Sequence, residues 1–198
     1  MQTLSKKKIA ITGSMGSGKS RASQFVREAG LPVLDLDRVN AELLQPDHKG
    51  YDCLKKEGLI RLDPQGNIDK KQLAQAMFED DSVKEKVEAI LHPLIIEEMN
   101  RWIDAQITDL VFVEVPLLFE SHMDTLFDRI WCVVVSQQKA VERLVRYRGF
   151  TKQEALARLE HQMSVKEKME RSDVVLYNEG NLEELKQAVS DALRKEKG

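Results

Sequence analysis

Short runs of consecutive apolar residues alternate along the chain with stretches whose apolar positions recur every three to four residues. That alternation predicts strands joined by helices in a parallel α/β sheet. The candidate strands are residues 8–12, 32–35, 110–115, 129–135 and 173–176. Val, Ile and Leu sit on consecutive positions in them, as in strands covered on both faces. Helical stripes lie between the runs: Ala140, Val141, Leu144 and Val145 form one, and Leu156, Leu159 and Met163 another. Leu182, Leu185, Val189 and Leu193 mark a C-terminal amphipathic helix with Asn181 as its N-cap. Residues 40–108 hold no convincing strand and read as several helices. Within them Ser82 and Glu85 resemble a capping box that opens a long helix through Val83, Val87, Ile90, Leu94 and Ile95, after a turn-rich piece at 62–67. This region is expected to be a helical insertion between the second and third strands, where α/β scaffolds commonly carry substrate specificity.

Between the first strand and a helical pattern through Ala22, Phe25 and Val26 lies the octapeptide GSMGSGKS, residues 13–20. Its order is that of a phosphate loop. Glycines let successive backbone N–H groups curl around phosphate oxygens, and the following helix turns its positive end to the same anion. Gly13, Ser14, Met15, Gly16, Ser17, Gly18, Lys19 and Ser20 are therefore the expected triphosphate cradle. Lys19 is expected at the β- and γ-phosphates and the Ser20 hydroxyl at Mg²⁺. The sequence contains no Asn-Lys-x-Asp base-reading motif, which argues against a guanine-nucleotide switch. A chain of this size with a helical insertion and a basic hairpin fits a small-molecule kinase. The loop alone leaves open a kinase of nucleotides or of another metabolite, or a catalytically weakened nucleotide-binding module.

Two further constellations bear on that chemistry. Asp35 and Asp37 close the second predicted strand, in PVLDLD, and ligands of open parallel sheets bind at the carboxyl ends of strands. A carboxylate there can orient an attacking hydroxyl or accept its proton; Asp37 equally suits the cap of a helix starting at Arg38. Glu114 ends the third strand after four apolar residues, which suits a carboxylate that holds Mg²⁺ through water. Glu120 is expected on the surface of a short helix after Pro116. Residues 136–171 carry nine basic and five acidic side chains, and no acid interrupts the stretch from Arg143 to Lys152. Arg143, Arg146 and Arg148 are candidate clamps on the transferring phosphoryl group, on a helical hairpin that turns at Gly149 and serves as a water-excluding lid. Arg158 and Lys166 read as solvated, Lys166 pairing with Glu170.

Composition narrows the class without naming it. The 198 residues suffice for one domain with a real core. Thirty basic against 33 acidic residues give a net charge of −3, which excludes a generic nucleic-acid binder or a polybasic membrane-surface protein. That −3 conceals a +4 hairpin on a −7 remainder. Cys53 and Cys132 are far apart in sequence and read as reduced thiols of a cytoplasmic protein. The longest apolar run, 110–119, is broken by Glu114 and Pro116 and is too short for a membrane span.

At this point the chain resembles the dephospho-coenzyme A kinases over nearly its whole length. GSMGSGKS resembles their phosphate loop, VLDLD their strand-two diacid, His92-Pro93-Leu94-Ile95 their HP motif and Val115 to Glu120, VPLLFE, their most distinctive segment. Asp128-Arg129-Ile130-Trp131, Arg143-Leu144, Gln162, Lys168, Ser172-Asp173 and Asn178 with Gly180 match as well. The resemblance implies a P-loop NTPase fold: a five-stranded parallel sheet flanked by helices, formed by residues 1–39, 109–136 and 172–198. It carries a helical acceptor-binding insertion at 40–108 and a lid at 137–171. It implies transfer of the ATP γ-phosphate to the ribose 3′-hydroxyl of dephospho-coenzyme A, with Asp35, Asp37, His92, Pro93 and Leu117 contacting the acceptor. A monomer or weak homo-oligomer is expected. The chain departs from the family pattern at Glu114, where Asp is usual, at Ala140, where Gln is common, and before Gly149, where Tyr147 and Arg148 displace one lid arginine by a position.

Overall fold

The apolar runs form five parallel strands, β1 (Lys7–Thr12), β2 (Val33–Asp35), β3 (Leu110–Glu114), β4 (Arg129–Val134) and β5 (Val174–Tyr177), in a computed structural model that describes residues 6–197. Their order is β2-β3-β1-β4-β5, so the strand that leads into the glycine loop is central. Each candidate strand lies within a residue or two of its expected bounds. β3 is buried along its whole length, Glu114 included, which is why its apolar positions do not alternate.

One face of the sheet presents Ile9, Ile11, Phe112, Trp131, Val133 and Leu176. It is covered by α1 (Lys19–Glu28), through Ala22 and Val26, and by the C-terminal helix α9 (Leu182–Lys197), through Leu185, Val189 and Leu193. Phe112 and Trp131 meet edge to face, with ring centroids 5.1 Å apart. Asn181 caps α9 as expected, its Oδ1 accepting the Glu184 N–H at 3.0 Å.

At its far end α9 is tied to the sheet by Glu196. Lys7 Nζ lies 2.7 Å from this carboxylate, Arg129 Nε lies 3.6 Å away, and the Trp131 indole N–H donates to it at 3.1 Å. Burial pushes the Glu196 carboxyl up, but the hydrogen bonds from Lys7 and Trp131 and the charges of Lys7 and Arg129 outweigh it and hold the pKa below 4.5. A depressed pKa contributes stability that is present above 4.5 and disappears as pH falls through the folded value. Glu196→Gln is expected to destabilise by roughly 1.5–3 kcal/mol at pH 7, the worth of a hydrogen bond to a charged group. In thermal melts the gap between the variant and the parent chain should close as the pH falls through and below the ordinary carboxylate range; a gap independent of pH would remove Glu196 from this role.

The chain divides into two compact units, one made of residues up to Asp35 and from Gln106 onward, the other of Leu36–Ala105. The second is helical: α2 (Leu36–Leu43), α3 (Lys49–Lys56), α4 (Lys70–Glu79) and α5 (Asp81–Asp104). Val87, Leu91, Ile95, Met99 and Ile103 form the buried stripe of α5. Its cap corrects the expectation at Ser82: the Asp80 carboxylate accepts the Ser82 N–H at 2.8 Å, so the helix starts earlier and Ser82 lies in its first turn. A carboxylate at the N-cap also complements the helix dipole. Pro93 lies inside α5. The turn-rich piece closes on Asp63, whose carboxylate accepts the N–H groups of Gln65 and Asn67.

Beyond β4 come α6 (Gln137–Arg148), α7 (Lys152–Glu160) and α8 (Val165–Glu170). Gly149 caps α6 and turns the chain. Val141, Leu144 and Ala155 form the small core of this hairpin. Val145, expected in that stripe, is exposed. Both α7 and α8 open with reciprocal capping boxes, Thr151 with Glu154 and Ser164 with Glu167. Among the described residues no helix is long and apolar enough to cross a membrane.

Candidate active site

The octapeptide forms the turn between β1 and α1, at the carboxyl edge of the sheet. Gly13 has φ 146°, and a Cβ there would collide with the Val133 carbonyl. Gly18 has φ 99° and caps α1 with no side-chain hydrogen bond, and the positive end of a helix that opens on such a loop attracts an anion. Lys19, the first residue of α1, turns its ammonium back over the loop and donates to the carbonyls of Gly13 (2.9 Å) and Ser14 (3.1 Å). The loop is cross-braced from the other end of the chain. Asn178, buried just beyond β5, donates from Nδ2 to the Ser17 carbonyl at 2.7 Å. The Gln162 side chain accepts the Met15 N–H at 2.9 Å.

The two acids at strand ends stand side by side, since Asp35 pairs with Glu114 in the β2–β3 register. Glu114 is 4% exposed and its Oε1 accepts from the Ser20 hydroxyl at 2.8 Å. A hydroxyl and a buried carboxylate at this spacing are hard oxygen donors. Mg²⁺ takes such a pair together with phosphate oxygens and waters, so these residues fit the ion. Asp35 is half-buried at the same edge.

The arginines fare differently. Arg143 is half-buried and its guanidinium donates to the carbonyls of Gly16 (3.2 Å), Ser17 (3.3 Å) and Asn178 (3.0 Å). It therefore reaches the loop, and in this arrangement it braces loop backbone. Arg146 and Arg148 are exposed, with Arg146 lying over the ring of its neighbour Tyr147. Asp37 falls in the first turn of α2 rather than capping a helix at Arg38, because α2 already begins at Leu36. Asp37, His92 and Pro93 all belong to the helical unit. Leu117 is exposed, while its neighbours Leu118 and Phe119 are buried.

Glu120 corrects the expectation of a surface residue. Its Oε1 accepts the Met163 N–H at 3.0 Å and lies 2.8 Å from Nζ of Lys168, whose side chain is fully buried. Burial pushes the Glu120 carboxyl up, but Lys168 and the backbone donors hold it below its ordinary value. Two signals were available for this anchor. The Ser164-x-x-Glu167 box announces α8, and Val165, Lys168 and Met169 share one helical face, which places Lys168 inward.

Known proteins resemble this chain over nearly its whole length. A sequence model of the family described as dephospho-CoA kinase matches residues 7–184. A dephospho-CoA kinase of Carboxydothermus hydrogenoformans is 33% identical over 191 residues, covering 94% of this chain and 93% of its own length. The crystal structure of TT1252 from Thermus thermophilus is 34% identical, with a TM-score of 0.82 over 96% of this chain and 97% of that one. A dephospho-CoA kinase from Campylobacter jejuni, at 22% identity, shares the fold with a TM-score of 0.68 over 96% of each chain.

Proposed function

The chain belongs to the dephospho-CoA kinase family, and from that premise we propose how its residues divide the work of phosphorylating the ribose 3′-hydroxyl of dephospho-coenzyme A with ATP. The observation that carries the assignment of roles is the meeting of Lys19, Ser20, Glu114 and Asp35 around one loop at the carboxyl edge of the sheet.

Phosphoryl transfer passes through a loose transition state, so positioning and electrostatics supply most of the catalysis. The loop N–H groups and the start of α1 hold the triphosphate. Lys19 leaves its ground-state carbonyl partners for the β- and γ-phosphate oxygens. The acceptor 3′-oxygen attacks the γ-phosphorus while the bond to the β-phosphate oxygen breaks and ADP leaves. Asp35 orients the attacking hydroxyl and takes its proton. Ser20 and Glu114 would hold Mg²⁺, which neutralises developing charge on the phosphates. Arg143 supports the loop from the carbonyl side. Arg146 and Arg148 close over the transferring group as part of a lid at 137–171. Asp37, His92, Pro93 and Leu117 contact the acceptor, His92 and Pro93 from the insertion at 40–108.

The test is direct. Incubation with ATP and dephospho-coenzyme A should yield ADP and coenzyme A in equal amounts, with the new phosphate on the ribose 3′-oxygen by phosphorus NMR or mass spectrometry. No turnover of dephospho-coenzyme A alongside turnover of a nucleoside monophosphate would sink the reading. Tight ATP binding without transfer to either acceptor would identify a non-catalytic module.

A further inference from the structure

The peptide plane between Ser14 and Met15 is held from both edges. Its carbonyl, Ser14 O, accepts from Lys19 Nζ at 3.1 Å and from the Ser17 N–H at 3.1 Å. Its N–H, on Met15, donates to Gln162 Oε1 at 2.9 Å. A peptide unit is planar, so the partner of the N–H fixes the direction of the carbonyl. Gln162 thereby sets the orientation of the group against which the Lys19 ammonium rests.

Gln162 is itself fixed. It lies in the turn between α7 and α8, and the next residue, Met163, donates its N–H to Glu120 Oε1 at 3.0 Å. The same oxygen meets the buried Lys168 ammonium at 2.8 Å. A second tie follows within the same segment: Arg171 pairs with Asp124 at 2.8 Å and lies over the Phe119 ring at 4.4 Å. Residues 162–171 are thus pinned to the segment that follows β3, and one carboxamide extends from that anchored segment to the loop. A loop with three glycines has wide conformational freedom, and preorganised donors stabilise a transition state only when they do not have to be reordered during reaction.

We propose that Gln162 is a positioning residue for phosphoryl transfer: anchored by the Glu120–Lys168 pair, its carboxamide locks the Ser14–Met15 peptide and so keeps the Lys19 ammonium poised over the loop until the triphosphate takes it up. The proposal rests on the kinase reading above and adds to it a residue that acts through the loop backbone.

The test pairs Gln162→Leu, which keeps bulk and removes the acceptor, with Lys19→Ala in a double-mutant cycle. Affinity for a non-hydrolysable ATP analogue is measured by calorimetry, alongside steady-state kinetics. Gln162→Leu is expected to weaken analogue binding and raise the KM for ATP about tenfold, with the KM for dephospho-coenzyme A within about twofold and the thermal midpoint unchanged. In the Lys19→Ala background the same substitution should change analogue affinity less than about twofold, because the group it positions is gone. Equal effects in the two backgrounds overturn the proposal. So does a parallel rise of both KM values with a fall in the melting point, which would mark a merely structural role. Gln162→Met, unbranched and also without an acceptor, gives the same readout if leucine packs badly. Analogue binding needs no acceptor, so the cycle decides the role of Gln162 even if the chain fails to turn over dephospho-coenzyme A.

Discussion

Lys19→Ala is expected to lower kcat/KM by roughly 10³-fold or more, about 4 kcal/mol of transition-state stabilisation, while the protein remains folded. The reasoning starts from where the ammonium rests. It is half-buried at the first turn of α1 and donates to two carbonyls of its own loop, both within 3.1 Å. Those partners are neutral and weak beside a polyphosphate, so moving to the β- and γ-oxygens costs little and gains charge-assisted contacts. As the γ-phosphoryl loosens from ADP, negative charge grows on the β-phosphate, and the lysine interacts more strongly with the transition state than with bound ATP. Much of the loss should therefore fall on kcat. Against this, loss of the hydrogen bonds to Gly13 and Ser14 at a partly exposed position costs the fold about 1–3 kcal/mol. A thermal melt beside the kinetics separates the two effects. A variant that melts normally and retains more than about a tenth of the parent kcat/KM would show that the charge is supplied elsewhere.

Asp35 gives the second large effect, and here two substitutions say more than one. Asp35→Asn keeps the size of the side chain and its hydrogen-bonding capacity but cannot take a proton at neutral pH. Asp35→Ala loses both functions. If proton removal matters most, the two variants should fall together, by about 10²–10⁴ in kcat. A loose transition state leaves the attacking hydroxyl acidic only late, which favours orientation over proton removal. Asp35→Asn is therefore expected to lose about 10² in kcat and Asp35→Ala about tenfold more, with affinity for ATP within about threefold of the parent in both. The register places Asp35 beside Glu114 and not within the phosphate loop, which is why ATP binding should be spared. Near-normal kcat in either variant would remove Asp35 from the reaction.

Legibility in the sequence followed the range of the interactions. The strands were readable because burial on both faces leaves a contiguous apolar run in the local sequence, and β3 is buried from Leu110 to Glu114. The phosphate loop was readable because its backbone angles demand glycine at fixed offsets, as at Gly13 and Gly18. Glu114 could be placed beside the phosphate loop because a carboxylate after four buried residues needs a partner, and Ser20 supplies it. The opening of α5 was misplaced by a local competition: Ser82 and Glu85 have the right spacing, but Asp80 comes first and satisfies the orphan N–H groups. Glu120 was misread for the opposite reason. Its partner Lys168 lies 48 positions away, and a charged residue near a surface helix looks solvated until the fold closes over it. Arg143 shows the limit of charge counting, since a run of arginines announces cations but not which one turns inward to bond carbonyls.

The central place of β1 and the late braces on its loop bear on how the protein comes into being. The nucleotide motif, residues 13–20, leaves the ribosome well ahead of the strands that flank β1. Its neighbours in the sheet, β3 and β4, arrive only after residue 110, and the side chains that brace the loop, Gln162 and Asn178, arrive later still. Glu196, which ties the covering helix to β1 and β4, follows both of them. Pairings this distant in sequence are slow to form. A nascent chain therefore carries the motif without its braces until residue 178 has emerged, and competence for ATP follows the later segment rather than the motif.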